Sequence, residues 1–284
     1  MRPVILSGHI HLADVGNDLS MSVNTDKSNN VIISGQYQGT IDFDPGPGNN
    51  FHTSAGDESF VLKLDSLGDF VWAKSFGTGT GNTQTYITAT CVDKTGNIYL
   101  TGSFLGRVDF DPGANVYNLS SIRYFQNNYS SDIFILKLDA SGNFEWANRI
   151  GNTGTDMGTA ITTDNLGYIY LTGRFDGYNT VDFDPGPGVF NLSSFSTAPF
   201  ILKLNSTNGS FVWAKSIDGY NAHSHYGDAI FVDELGFVYV GGRFKETVDF
   251  NPGSGVFNLT SIYGWDMFLL KLGATSGNFS WAKT

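Results

Sequence analysis

Val181-Asp-Phe-Asp-Pro-Gly186 decides how this chain is read, because it is one of four copies. The others are Ile41-Asp-Phe-Asp-Pro-Gly46, Val108-Asp-Phe-Asp-Pro-Gly113 and Val248-Asp-Phe-Asn-Pro-Gly253, at steps of 67, 73 and 67 residues. A period of that length means one structural unit repeated along the chain. Each unit is too small to bury its own apolar face, so neighbours must stack.

Working outward from the third copy, Gly158 to Asp164 reads as a short strand, a, turned by Asn165-Leu-Gly167. Tyr168 to Phe175, rich in β-branched and aromatic residues, is strand b. Thr180 to Phe183 continues it, Asp184-Pro-Gly-Pro-Gly188 reverses the chain, and Val189 to Ser193 returns as a hairpin arm. Phe200 to Leu204 is strand c and Phe211 to Lys215 is strand d. No segment has helical periodicity with caps. The motif Trp-Ala recurs at Trp72, Trp146, Trp213 and Trp281, at steps of 74, 67 and 68, so a second landmark gives the same register.

Period-two alternation assigns faces. Phe200, Leu202 and Leu204 share one face of strand c with Lys203 on the other; Phe211, Trp213 and Lys215 are expected to share a face of strand d. Small residues at Ser22, Ala89, Ala160 and Ala229 suit a crowded inner edge. Gly35, Gly102, Gly173 and Gly242 inside strand b predict a bulge or a close backbone approach.

These patterns predict an all-β fold, a β-propeller of four repeats of about 70 residues, each a four-stranded antiparallel blade. The repeats fall near 18–80, 81–154, 155–222 and 223–284 of a single domain, with 1–17 supplying an extra N-terminal strand. A closed four-blade ring and an open arc of a larger propeller both fit. A β-sandwich would not explain one internal order kept at a long period.

The bulk numbers bound function. There are 16 basic and 27 acidic residues, for a net charge of -11, which argues against a nucleic-acid partner. Cys91 is the single cysteine; it aligns with Thr162 and Phe231 and reads as a packed residue, with no disulfide framework. No apolar run is long enough for a membrane-spanning helix, so no membrane insertion is expected. Residues Met1 to Gly8 lack the apolar core of a signal peptide. The chain stops at Trp281-Ala-Lys-Thr284 directly after a strand, so a mature or excised piece is expected.

Gly96-Asn-Ile-Tyr-Leu-Thr-Gly-Ser-Phe104, followed by Val-Asp-Phe-Asp-Pro-Gly, Ile-Leu-Lys-Leu-Asp and Trp-Ala, resembles the bacterial SBBP-type β-propeller repeat. The resemblance recurs four times between about residue 18 and residue 284. It implies an extracellular or cell-surface bacterial setting and no shared reaction.

Three groups of residues are candidates for chemistry. The hairpins pair Asp42 with Asp44, Asp109 with Asp111, Asp182 with Asp184, and Asp249 with Asn251. Paired carboxylates beside turn carbonyls suit Ca²⁺. The plainer reading is that Asp before Pro-Gly accepts backbone hydrogen bonds and starts a turn, which also explains Asn251. No further cofactor is expected. Second, Tyr124 and Tyr129 lie in an insertion, and Tyr220, His223, His225 and Tyr226 lie in a long d-to-a connection. In a propeller the d-to-a and b-to-c connections emerge on one rim, together with the hairpins, and loops that break a repeat are where binding is grafted. Third, His223 and His225, like His9 and His11, have i, i+2 spacing, but a third zinc ligand is lacking and exposed loop histidines are expected. The Asn-x-Ser/Thr strings at Asn118, Asn191 and Asn258 recur with the repeat and read as strand packing. No nucleophile elbow, P-loop or dinucleotide fingerprint appears.

The expected function is a non-enzymatic, secreted or surface scaffold presenting loops to a protein or glycan. The alternatives are a structural spacer in a larger surface protein, or a polysaccharide-active hydrolase or lyase with its site in the central cavity.

Overall fold

The computed structural model describes residues 17–77, 83–125, 128–176, 180–219 and 224–284, which form four antiparallel four-stranded sheets in simple meander order. Blade 1 comprises Leu19–Thr25, Val31–Asp42, Phe51–Leu64 and Phe70–Phe76. Blade 2 comprises Gln84–Val92, Ile98–Leu105, Asp132–Leu138 and Phe144–Ile150. Blade 3 comprises Met157–Thr163, Tyr168–Asp176, Thr197–Asn205 and Phe211–Ser216. Blade 4 comprises Tyr226–Val232, Phe237–Phe244, Asp266–Gly273 and Phe279–Lys283. In each, the strands are a, b, c and d from inside outward. Residues 9–14, the core of the expected extra strand, lie outside the described residues.

The repeating glycines have a steric cause. A Cβ on Gly35, Gly102, Gly173 or Gly242 would lie 1.9, 1.8, 2.1 or 2.0 Å from the carbonyl oxygen of Leu19, Tyr86, Met157 or Tyr226 on the neighbouring strand a. Strand a is bulged at that point in every blade, at Met21, Thr88, Thr159 and Asp228. The bulge aims Thr88 Oγ1 at the carbonyl of Gly158 (2.6 Å) and Thr159 Oγ1 at that of Gly227 (2.5 Å), tying each inner strand to the next blade.

Strand d differs from the plain alternation. Lys203 pairs with Trp213 while Leu204 pairs with Phe211, because Val212 is an extra residue in the ladder. Phe211 and Trp213 therefore face opposite ways. Phe211 packs with Phe190 (4.9 Å between centroids) inside the core shared with blade 2, whereas Trp213 lies in the core shared with blade 4. The same bulge recurs at strand d of the other blades.

The core is a series of seams between blades. Val61, Ile135 and Ile201, at one position of strand c, are fully buried against the following blade. Full burial of such a side chain is worth about 1.5–3 kcal/mol. Inside each blade the hairpin phenylalanine (Phe43, Phe110, Phe183 or Phe250) packs on a strand-c phenylalanine at 4.9–5.1 Å. Inner strands pack side by side in the order blade 1, 2, 3, 4. No comparable packing joins the inner strands of blades 4 and 1 among the described residues.

Candidate functional site

The hairpin tips do not stand on the loop rim. In blades 2, 3 and 4 the hairpin folds back along its own blade, because Tyr117, Phe190 and Phe257 of the return arms stack on Phe144, Phe211 and Phe279 at the start of strand d. In blade 2 this sets Asp111 to Asn115 beside the c-to-d turn at Gly142 and Asn143, around a cavity of about 250 Å³. In each tip the first acid is spent on backbone. Asp182 Oδ1 accepts from the amides of Asp184 (3.0 Å) and Phe190 (2.8 Å), and Asp184 Oδ1 accepts from Gly186 (2.8 Å). Asp42 with Asp44, Asp109 with Asp111, and Asp249 with Asn251 repeat the pattern. A Cβ on Gly188 would lie 2.2 Å from Asp184 Oδ2, which explains the second glycine of Pro-Gly-Pro-Gly. Among the described residues, no three His, Cys, Asp or Glu side chains converge as a metal site.

The rim formed by the b-to-c and d-to-a connections carries a different cluster, at the seam of blades 3 and 4. Tyr226 begins strand a of blade 4, and its ring lies 5.3 Å from that of Trp265. Arg174 of blade 3 and Arg243 of blade 4 sit over Tyr226 at 5.3 and 4.7 Å. Arg243 and Lys245 lie 5.5 and 4.6 Å from the Trp265 ring. Cations over aromatic faces hold the rings in place and leave positive charge at the surface. Asp228 pairs with Arg243 at 3.7 Å, with both side chains about half exposed. Trp265 is 42% exposed, so the pair is reachable from solvent.

Of the expected loop residues, Tyr226 is in this cluster and His225 is beneath it. His225 is not an exposed loop histidine. It is buried: its amide donates to Thr197 O (2.9 Å), and its Nδ1 accepts from the Lys245 amide at 3.4 Å. Tyr220 and His223 lie outside the described residues. The strands Arg123–Phe125 and Asn128–Tyr129 pair as a small hairpin, but the side chains of Tyr124 and Tyr129 lie outside the description. Trp265, Arg174, Arg243 and Lys245 were not singled out from sequence. One signal was available: Trp265 is the single tryptophan out of the Trp-Ala register.

Two acids have raised pKa values. Burial pushes Asp132 up to about 6, against the pull of Arg149 Nη1 at 2.6 Å. Burial pushes Asp156 up to about 7, with Asp132 and Asp176 adding to it. Both are fully buried and staple loop backbone: Asp132 accepts from the Ile122 amide, Asp156 from those of Asn152 and Asp176. Cys91 packs against the core between blades 2 and 3, and burial raises its thiol pKa. On the opposite face, a cavity of about 290 Å³ between blades 2 and 3 is lined by Asp93, Tyr99, Lys137, Asp164 and Tyr168. One of about 180 Å³ recurs between blades 3 and 4, so these cavities are features of the seam.

Fold and site together define an all-β repeat protein with propeller-type blades and an aromatic, cation-flanked patch on one rim. One of two relatives is itself named for a repeat. An uncharacterized WD repeat-containing protein of Acanthamoeba polyphaga mimivirus is 29% identical over 237 residues, covering 73% of this chain and 16% of that protein. The regulatory protein FlaEY of Caulobacter vibrioides is 31% identical over 140 residues, covering 48% of this chain and 14% of that protein. The chain thus spans a small fraction of either relative. No protein-family model matches it. Among the described residues no helix is long and apolar enough to cross a membrane.

Proposed function

We propose that the chain is a non-enzymatic interaction scaffold whose rim around Tyr226 and Trp265 holds a protein or glycan partner. The single observation that carries this is the pairing of half-buried Tyr226 with exposed Trp265, flanked by Arg174, Arg243 and Lys245. Stacked aromatic rings offer a flat apolar face for a sugar ring or a peptide side chain. Three cations on a chain of net charge -11 favour an acidic group on that partner. The WD repeat-containing relative supports the scaffold reading. The resemblance to the SBBP-type repeat supports an extracellular or cell-surface setting, which belongs to the same proposal.

Glycan and protein arrays probed with the full chain test it. A specific hit that weakens about tenfold or more in Trp265→Ala and Tyr226→Ala, with melting temperature kept, supports the proposal. A hit indifferent to both substitutions moves the site elsewhere. Silence on every array favours a structural spacer.

A further inference from the structure

We propose that the outward face of blade 4 is a docking surface for a further blade of this same repeat, supplied from outside residues 17–284. Three internal seams show what that face does elsewhere in the molecule. Val61, Ile135 and Ile201 are each 0% exposed against the following blade, while Leu269, their counterpart in blade 4, is 39% exposed. Met267 is 71% exposed, where its counterparts Ser59 and Ile133 are fully buried. Phe231 is 60% exposed, and its ring continues through Tyr239 to Trp281, with centroids 6.5 and 6.2 Å apart.

The polar contacts of the seam specify the occupant. Lys63 Nζ donates to Ala140 O of blade 2 at 3.1 Å, and Lys203 Nζ donates to Ala274 O of blade 4 at 2.8 Å. Trp146 Nε1 donates to Ser206 O at 3.3 Å, and Trp213 Nε1 to Ala274 O at 3.1 Å. Each acceptor is in the c-to-d turn of the next blade. A positive-φ glycine of that turn lies under the tryptophan: a Cβ on Gly142, Gly209 or Gly277 would come within 3.1, 2.9 or 3.1 Å of Trp72, Trp146 or Trp213. Lys271 and Trp281 occupy the equivalent positions of blade 4. Lys271 sits 3.7 Å from the Phe237 ring just as Lys203 sits 3.8 Å from that of Tyr168, but among the described residues no turn carbonyl faces Lys271 or Trp281. The partner is thus a sheet with a Phe-Leu-Leu strand c and a c-to-d turn that ends in glycine.

A second copy of this chain fits less well. Its blade 1 would have to offer the Phe60, Leu62 and Leu64 face, and those residues are already 5%, 0% and 2% exposed. A further blade carried by other sequence is the occupant the seams define.

The test extends the full chain after Thr284 with a second copy of residues 76–150, which carry on from the position equivalent to Ser75. Hydrogen exchange is read over Asp266–Gly273 and Phe279–Lys283. Exchange slowed about tenfold or more in the extended chain supports the proposal. The double substitution Met267→Asp, Leu269→Asp should abolish that protection and leave the melt of the unextended chain unchanged. A second extension with residues 150–217 guards against one misfolded graft; no protection from either graft overturns the proposal. So does a large loss of stability in the unextended double variant, or self-association of the unextended chain through this face.

Discussion

Trp213 Nε1 donates to the carbonyl oxygen of Ala274 at 3.1 Å, fastening the outer strand of blade 3 to a turn of blade 4. The bond needs the strand-d bulge at Val212, which turns the indole away from Phe211 and toward the next blade. Trp213→Phe keeps most of the apolar contact and leaves the carbonyl with Lys203 alone. It should cost about 1–2 kcal/mol. Trp281→Phe should be close to neutral, because no such acceptor faces Trp281 among the described residues. Urea melts of the two variants check the contrast; equal losses would contradict it.

The strand-b glycines give the sharpest steric prediction. A Cβ at Gly102 would lie 1.8 Å from Tyr86 O, which is backbone and cannot swing aside. Gly102→Ala should cost about 3 kcal/mol or more. Gly56→Ala, with nothing within 4 Å of the added atom, should change little. Thermal melts of both proteins decide this, and a mild Gly102→Ala would show that strand a can shift.

Much of this was legible in the sequence for a physical reason. Gly102, Trp146 and the Asp109-Phe-Asp111 hairpin each meet a constraint imposed once per blade, and the period exposes it. The strand-d bulge was not legible, because Phe211-Val-Trp213 looks like plain alternation until the pairing of Lys203 and Leu204 is known. The fold-back of the hairpins depends on stacks such as Phe190 on Phe211, between residues far apart in the chain. The rim cluster joins Arg174 of one blade to Tyr226 of the next. Nothing in a single repeat announces that contact, and only the off-register Trp265 hinted at it.

The hairpin acids separate a turn from a cation site. Asp182 accepts two backbone amides, and its replacement by Ala leaves both without that acceptor, so Asp182→Ala should cost about 1–3 kcal/mol. Asp184→Asn should be nearly neutral, because blade 4 already uses Asn251 there, accepting from Gly253 at 2.9 Å. Both results should be the same in Ca²⁺ and in excess chelator. A chelator-dependent loss at Asp184→Asn would instead make the pair a ligand set.

The buried acids set the pH dependence. Asp156, pushed up to about 7, binds a proton in the folded state at pH values where the unfolded carboxyl, near 3.8, has lost it. Folded protein therefore holds more protons between those limits, and stability falls as pH rises through the folded pKa. Asp132, at about 6, acts in the same direction. His52 opposes them below its ordinary 6.5, since burial, then Lys74, depress it and its contribution grows as pH rises to that point. Asp26, Asp93, Asp139 and Asp233 are lowered, so their contributions fade only in acid. The clean window is pH 6.5 to 8, where melting temperature should fall by a few degrees and then level off. Asp156→Asn removes the titrating group and should flatten that slope, whatever it does to stability itself. A melting temperature that rises across the window, or a slope unchanged in Asp156→Asn, would show that this carboxyl is ionised inside the fold and that its two amide donors outweigh its burial.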